Sequence, residues 1–135
     1  MTLALVTELS IRTESDIVLA RRAVREASQS LGFGITDTTR IVTAASELAR
    51  NVFKYAGEGV MRLRNLDTGN HSGLEIQFQD HGPGIQDLAR AMQEGFSTSG
   101  GFGMGLLGAK RLMDEMEITS VVGQGTHVVL KKWRN

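Results

Sequence analysis

Hydrophobic and polar residues alternate in five segments of the chain, the pattern of strands with one buried face. The alternation is strictest in Leu74–Gln79, where Leu, Ile and Phe take turns with Glu and Gln. The predicted strands are Leu3–Ile11, Val60–Asn65, Leu74–Gln79, Glu117–Val122 and Thr126–Trp133. A polar turn at 67–73 and the short Gly123–Gly125 segment indicate two antiparallel hairpins.

Helical spacing of apolar residues alternates with these strands. The predicted helices are Ser15–Leu31, Thr36–Tyr55, a short one near Gln86–Gln93, and Gly105–Met116. Strands grouped in hairpins and helices grouped elsewhere indicate an α+β fold, a two-layer sandwich with helices on one face of a mixed, mostly antiparallel sheet. A length of 135 residues predicts a single domain, 1–135.

Composition narrows the classes of function. Fifteen basic residues balance fifteen acidic ones, which disfavours nucleic acid or an anionic membrane as a partner. The chain has no cysteine and no paired histidine spacing, so thiol chemistry and a histidine zinc site are not expected. The amino terminus resembles neither a signal peptide nor a membrane span, and a cytoplasmic location is expected.

Sixteen glycines against one proline is the unusual feature, because the glycines crowd between Gly82 and Gly108. The segment Gly95–Gly105 runs into an apolar helix, and backbone amides at a helix start bind phosphates. A plain flexible linker remains an alternative. No strand precedes Gly103-x-Gly105-x-x-Gly108, and no Walker or conventional protein-kinase motif occurs, so those nucleotide scaffolds are rejected.

Two polar side chains on the second predicted helix share one side. Glu47 and Asn51 are four residues apart, about 6 Å along the helix axis. Asn51 could supply an amide oxygen to Mg²⁺, and Glu47 could act as a general base. For an isolated pair of this kind, an ordinary solvated helix face is the favoured alternative.

Asp80 ends an apolar strand and begins the sequence Asp-His-Gly-Pro-Gly-Ile, in which Gly82 and Gly84 specify a tight turn. A carboxylate at this position can accept a hydrogen bond from the exocyclic amino group of adenine. Guanine has a carbonyl at the same position and cannot donate this hydrogen bond. Thr126, which enters the last strand after Gly125, is expected to reach the same cleft. An ordinary Asp-x-Gly loop is the alternative.

The order of these motifs resembles the GHKL ATPase/kinase superfamily and its Bergerat ATP-binding fold. The segments S-E-L-A-R-N, D-H-G-P-G-I and G-G-F-G-M-G-L, together with the small size, are similar to the anti-sigma-factor kinase branch, and most of all to the RsbT-like kinases of the bacterial stressosome. The resemblance implies ATP and Mg²⁺ as ligands, with Asn51 on the metal, Asp80 on adenine, a glycine-rich lid over the phosphates and Glu47 as catalytic base. The implied nucleotide-binding residues are Asn51, Asp80, Gly82, Gly84, Gly101, Gly103, Gly105, Leu106 and Thr126.

The same resemblance implies a protein serine/threonine kinase. Its implied substrates are STAS-domain scaffold or antagonist proteins, and its implied regulatory partner is a PP2C-type phosphatase that the released kinase activates by binding. Two alternatives stay open: an anti-sigma factor kinase that sequesters a sigma factor, and a non-catalytic ATP-binding module. A contact of Lys54 or of Ser97–Ser99 with phosphate is left undecided.

Overall fold

Five strands form one sheet in the order β1-β2-β3-β5-β4. The computed structural model describes residues 2–86 and 102–134. The strands are β1 Thr2–Ile11, β2 Gly59–Asp67, β3 Ser72–Asp80, β4 Glu115–Val121 and β5 Gly125–Arg134. All five predicted strands are present, and the predicted α+β class is confirmed. The expectation of a mixed sheet is corrected for the described residues, because each neighbouring pair is antiparallel.

In the described part of the chain, three helices pack on one face of this sheet: α1 Glu14–Ser30, α2 Ile35–Asn51 and α3 Phe102–Leu112. Helix α2 contacts both α1 and α3, and α1 and α2 also contact the strands. The start of α1 is fixed by a capping box, in which the Thr13 hydroxyl accepts the Asp16 N–H while the Asp16 carboxylate accepts the Thr13 N–H. The predicted two-layer arrangement is therefore observed.

The core lies between the two layers. Strands β2, β3 and β5 send alternate apolar side chains toward the helices, and most of these are fully buried. They meet the buried stripe that α2 presents at helical spacing. The strand contribution is Met61, Leu63, Leu74, Ile76, Phe78, Val128 and Leu130, and that of α2 is Ile41, Val42, Ala44, Ala45, Leu48 and Ala49.

The ends of two predicted helices differ in kind or position. The second helix, predicted to run to Tyr55, is α-helical to Asn51 and continues as a π-helical turn over Val52–Ala56, which Gly57 closes at φ +83°. The last helix, expected at Gly105–Met116, is Phe102–Leu112. Its carboxyl end comes early because sheet pairing takes over: the Asp114 N–H donates to the Lys131 carbonyl, and Met116 pairs with Leu130 in β4.

Lys132 ties β5 to the end of α3. Its side chain is 10% exposed, and Nζ donates to the Leu112 carbonyl at 3.2 Å. Asp114 at 3.5 Å and Asp37 at 3.9 Å balance its charge. A buried cation is tolerable only with such partners, and this one satisfies a terminal carbonyl of the helix.

The predicted short helix near Gln86–Gln93 and the glycine-rich loop with Ser97–Ser99 and Gly101 fall on residues 87–101, outside the described part of the chain. Among the described residues, no helix is long and apolar enough to cross a membrane.

Candidate nucleotide-binding site

Four of the predicted site residues surround one cavity between the helices and the sheet: Asn51, Asp80, Leu106 and Thr126. Five apolar residues complete the described lining: Leu48, Val52, Phe78, Ile85 and Val128. The free space between them is about 20 Å³, enough for roughly one water molecule. This enclosed space alone is smaller than a purine.

Asn51 is the last residue of α2 and lies where the helix changes to the π-helical turn. Such turns recur at functional sites because the extra residue redirects side chains. The Asn51 Nδ2 atom is buried and has no hydrogen-bond partner among the described residues. A buried donor without an acceptor costs about 1–3 kcal/mol, which the structure recovers only when a ligand supplies the acceptor.

The start of α3 faces this amide. A Cβ built on Gly105 would lie 2.5 Å from Asn51 Nδ2, so only glycine lets the helix approach so closely. Gly103 is in the first turn of the same helix, and Leu106 is 2% exposed in the cavity wall. The amino terminus of a helix and an unpaired amide together favour an anion between them.

Asp80 is half-buried at the end of β3, where it pairs with Thr126 of β5. Its Oδ1 atom accepts the backbone N–H of Gly82 at 2.9 Å and of Thr126 at 3.3 Å. These two bonds orient the carboxylate, and within the described parts of the chain no hydrogen bond reaches Oδ2, which could accept one from a ligand. The arrangement suits a ligand with an amino group.

The turn after Asp80 is closely packed. A Cβ on Gly82 would lie 2.6 Å from Ala56 Cβ, and one on Gly84, at φ +76°, would lie 2.5 Å from the Val121 carbonyl oxygen. The Gly123 N–H also donates to the Pro83 carbonyl at 2.8 Å. Both predicted turn glycines thus position Asp80 through backbone contacts, and neither is among the residues that line the cavity.

Ser120 of β4 is a residue that the sequence reasoning missed. Its Oγ accepts the Ile85 N–H at 2.8 Å and lies 3.0 Å from Thr126 Oγ1, so it joins the turn to the last strand. The signal was present in the sequence, because Ser120 continues the inward positions of Met116 and Ile118. A serine on an apolar strand face indicates a polar contact inside.

Glu47 is on the same side of α2 as Asn51 but lies outside the nine described residues of the cavity lining. Its side chain is 41% exposed and forms an ion pair with Arg50 at 3.1 Å. The pair is a surface one, worth about 0.2–1 kcal/mol, so Arg50 does not lock the carboxylate in place. The structure leaves Glu47 one helical turn from the cavity and accessible from outside.

Lys54 is exposed and does not line the cavity in the described part of the chain. Its Nζ lies 5.3 Å from the centre of the Tyr55 ring, within cation–π range. Together with Arg50 and Phe53 it borders a groove against α1. The structure therefore offers no support for a phosphate contact by Lys54.

The residues of the site suit a metal ion that binds together with the phosphates of a nucleotide. The described residues contain no group of three His, Asp or Glu side chains that could hold a metal ion. Mg²⁺ needs few protein oxygens when phosphates and water supply the others. The Asn51 amide offers one oxygen for the metal and, through the unpaired Nδ2, one donor for a phosphate.

Comparison with known proteins places this geometry in a family. Residues 10–132 match the family described as "Histidine kinase-like ATPase domain". The serine/threonine-protein kinase RsbT of Bacillus subtilis is 50% identical over 123 residues, 91% of this chain and 92% of the relative. The anti-sigma F factor of a Thermoanaerobacter species is 32% identical over 120 residues, 84% of this chain and 82% of the relative.

Two solved structures share the fold at low sequence identity. The RsbU and RsbW domains of a Mycobacterium tuberculosis protein superpose with a TM-score of 0.63 at 20% identity, covering 96% of this chain and 34% of that longer one. The SiaB–SiaC complex of Pseudomonas aeruginosa gives 0.57 at 12% identity, over 96% and 91%. The predicted fold and family resemblance are confirmed: the chain belongs to the histidine kinase-like ATPase family, in the branch of the ATP-dependent serine/threonine-protein kinase RsbT.

Proposed function

We propose that this chain, as a single domain over 1–135, is a cytoplasmic kinase that transfers the γ-phosphate of ATP to serine or threonine hydroxyls of STAS-domain proteins in a partner-switching pathway. The observation that carries the proposal is the Asn51 Nδ2 atom, which has no hydrogen-bond partner in the part of the chain that the structure describes and lies against Gly105, beside Asp80 and Thr126. An orphaned donor, a helix start and a fixed carboxylate form one site suited to a phosphorylated purine.

We assign each part of the nucleotide to the residues whose hydrogen-bonding groups suit it. Asp80 Oδ2 accepts the amino group of adenine, with Thr126 beside it, and the start of α3 with Gly103 and Gly105 binds the phosphates. Gly101 is proposed to belong to the same phosphate segment. Asn51 Oδ1 is the protein ligand of Mg²⁺, which would neutralise charge on the phosphates when bound.

Glu47 is the proposed catalytic base. Its carboxylate takes the proton of the acceptor hydroxyl, whose oxygen bonds to the γ-phosphorus as the bond to the β-phosphate oxygen breaks and ADP leaves. Proton transfer of this kind contributes about 10²–10⁴-fold to the rate. The exposure of Glu47 supports this role, because the acceptor is part of another protein and must approach from outside.

The Glu47→Gln variant tests the base. It should bind Mg²⁺·ATP with native affinity and lose phosphotransfer by about 10²-fold or more. Glu26→Gln, an exposed glutamate on α1, is the matched control and should keep the native rate. Single-turnover transfer of labelled γ-phosphate to a STAS-domain protein measures the effect. A native rate in Glu47→Gln removes Glu47 from the mechanism.

Partner switching is the second part of the proposal. The phosphorylated partner releases the kinase, which then binds and activates a PP2C-type phosphatase. The similarity to an anti-sigma F factor supports one other candidate function, a kinase that also sequesters a sigma factor. Pull-down of purified sigma factors, STAS-domain proteins and phosphatases by the chain distinguishes them: capture of a sigma factor favours the second function.

A further inference from the structure

The sheet has a second face, which points away from the helices. Side chains alternate along a strand, so the residues between the core positions lie on this side. We call it the outer face. In β2, β3, β5 and β4 it consists of every second residue in 60–64, 75–79, 127–131 and 115–119.

Charges of opposite sign alternate across one row of the outer face. The strand register pairs Arg64 of β2 with Glu75 of β3, and Glu75 with Lys131 of β5. Lys131 in turn pairs with Glu115 of β4. The row therefore runs from a cation on β2 to an acid on β4, with one acid and one cation between them.

The next row has the same polarity. It begins with Arg62 on β2 and ends with Glu117 on β4, and Gln77 and Val129 lie between them. Both cations of β2 thus lie on one side of the face and both acids of β4 on the other. Arg62 already bonds to Glu8 of β1 at 2.7 Å, so this row has less free charge than the first.

Several of these charges lack an ion pair within the chain. Among the described residues, no cation lies within 4 Å of the carboxylates of Glu75 and Glu117, and no carboxylate lies within 4 Å of Arg64 or Lys131. Glu75 is only 6% exposed, and its Oε1 accepts a hydrogen bond from the Gln77 amide. A carboxylate so buried is stabilised by a cation, and the chain places none against it.

A second copy of the chain can supply the missing partners. A two-fold axis parallel to the strands, between β3 and β5, lays β2 of one copy over β4 of the other and β3 over β5. Arg64 then faces Glu115 of the second copy, and Glu75 faces its Lys131. Each contact occurs twice. An axis along β3 would instead oppose Arg64 to Lys131 and Glu75 to itself, so the charges select one arrangement.

The area of the outer face is sufficient for a weak interface. Four strands spaced by about 4.8 Å are about 19 Å wide, and seven paired residues at about 3.4 Å each are about 24 Å long. Each copy contributes roughly 500 Å², and the pair about 1,000 Å², the lower end of specific interfaces.

We propose that two copies of this chain associate through their outer faces as a two-fold dimer, with the cations of β2 against the acids of β4. The candidate nucleotide cavity lies between each sheet and its helices, so the dimer leaves both cavities uncovered. The inference does not depend on ATP binding.

Sedimentation equilibrium of the full chain tests the dimer. At about 100 μM and low salt the native chain should be mostly dimeric, and about 1 M salt should shift it toward monomer. Arg64→Glu and Glu115→Lys each oppose like charges twice, and each should weaken the dimer by about 100-fold or more. Glu26→Lys reverses an exposed glutamate on α1 and should leave the dimer native.

Mixing the two variants gives the decisive result. A heterodimer of Arg64→Glu with Glu115→Lys has opposite charges at every such contact, so the mixture should dimerise although each variant alone does not. A monomeric native chain, a dimer that neither reversal weakens, or a mixture that stays monomeric overturns the proposal.

A third variant covers the case in which one of these two does not fold, since Glu115 also accepts a hydrogen bond from Trp133 Nε1. Glu117→Lys opposes Arg62 of the second copy, and a native dimer in this variant overturns the proposal. Titration of the same samples with Mg²⁺·ATP keeps the two proposals apart, because a monomeric chain that binds ATP refutes the dimer alone.

Discussion

Gly105 of α3 and Asn51 of α2 are in direct contact, and a methyl group on Gly105 would lie 2.5 Å from the Asn51 amide nitrogen. Asn51, at the end of α2, is proposed to bind the metal, and the start of α3 is proposed to bind the phosphates. The contact therefore brings these two parts of the proposed site together. Because Asn51 Nδ2 has no partner among the described residues, the contact is close but unsatisfied. Both sides of the proposed phosphate site are therefore adjacent before any ligand binds.

The Gly105→Ala variant should lose Mg²⁺·ATP affinity by at least about tenfold, because the new methyl group displaces the Asn51 amide. Gly108→Ala is a matched control on the same helix, since a Cβ there meets no atom within 4 Å. It should bind as the native chain does and gain slightly in stability from the better helix former. Calorimetric titration with Mg²⁺·ATP measures both; equal affinities for the two variants would contradict the account.

The Asn51→Ala variant should separate stability from ligand binding. Removal of the unpaired buried donor should raise the free energy of unfolding of the nucleotide-free chain by about 1 kcal/mol. The same variant should lose the Mg²⁺-dependent part of ATP affinity. Urea unfolding and nucleotide titration with and without the metal give the two values, and a fall in both would mean that Asn51 is a structural residue.

The Asp80→Asn variant should change base selectivity. An amide at this position keeps an oxygen for the Gly82 and Thr126 N–H groups but presents a donor, suited to the guanine carbonyl, where Oδ2 was. The ratio of ATP to GTP affinity should fall by about tenfold or more.

Asp67→Asn is the matched control for Asp80→Asn. Asp67 also ends a strand, and its Oδ1 accepts the N–H of Gly69 two residues on at 2.8 Å, as Asp80 does with Gly82. The Asp67→Asn variant should keep the native ratio of ATP to GTP affinity. A similar loss of selectivity in both variants would point to a general effect on the sheet.

Asp16 in the α1 capping box should make stability depend on acid pH. The hydrogen bond from the Arg12 backbone N–H lowers the pKa of Asp16 below 3.8. The stability that this carboxylate contributes is complete above that value and is lost as pH falls through the lower folded pKa. The difference in free energy of unfolding between the native chain and Asp16→Ala should therefore be constant near neutral pH and shrink below about pH 4. A pH-independent difference would contradict this.

The sequence predicted the strands and helices well because alternation and helical spacing report burial, and burial decides this fold. Leu74–Gln79 and the stripe of α2 are clear cases. Local patterns mispredicted secondary structure where pairing with a residue distant in sequence determines it. Pairing with Leu130 draws Met116 into β4, although its apolar spacing continues the preceding helix.

The candidate site was predictable in part. Motif order indicated Asn51, Asp80 and Thr126, and the structure brings them around one cavity. Helical spacing gave no sign of the π-helical turn after Asn51. The alternation of β4 marks Ser120 as an inward polar residue, but its contact with the Thr126 hydroxyl depends on the pairing of two strands. The role of Glu47 remains a prediction, because its geometry toward an acceptor depends on the partner protein.

The most direct test of the central claim is phosphotransfer to a partner. The native chain should be incubated with labelled ATP, Mg²⁺ and STAS-domain proteins encoded by the same genome, followed by mass spectrometry of the products. The account predicts one phosphorylated serine or threonine on a STAS-domain protein, absent when the metal is chelated or when Asn51 is replaced by alanine. Binding of ATP and of these partners without any transfer would contradict it.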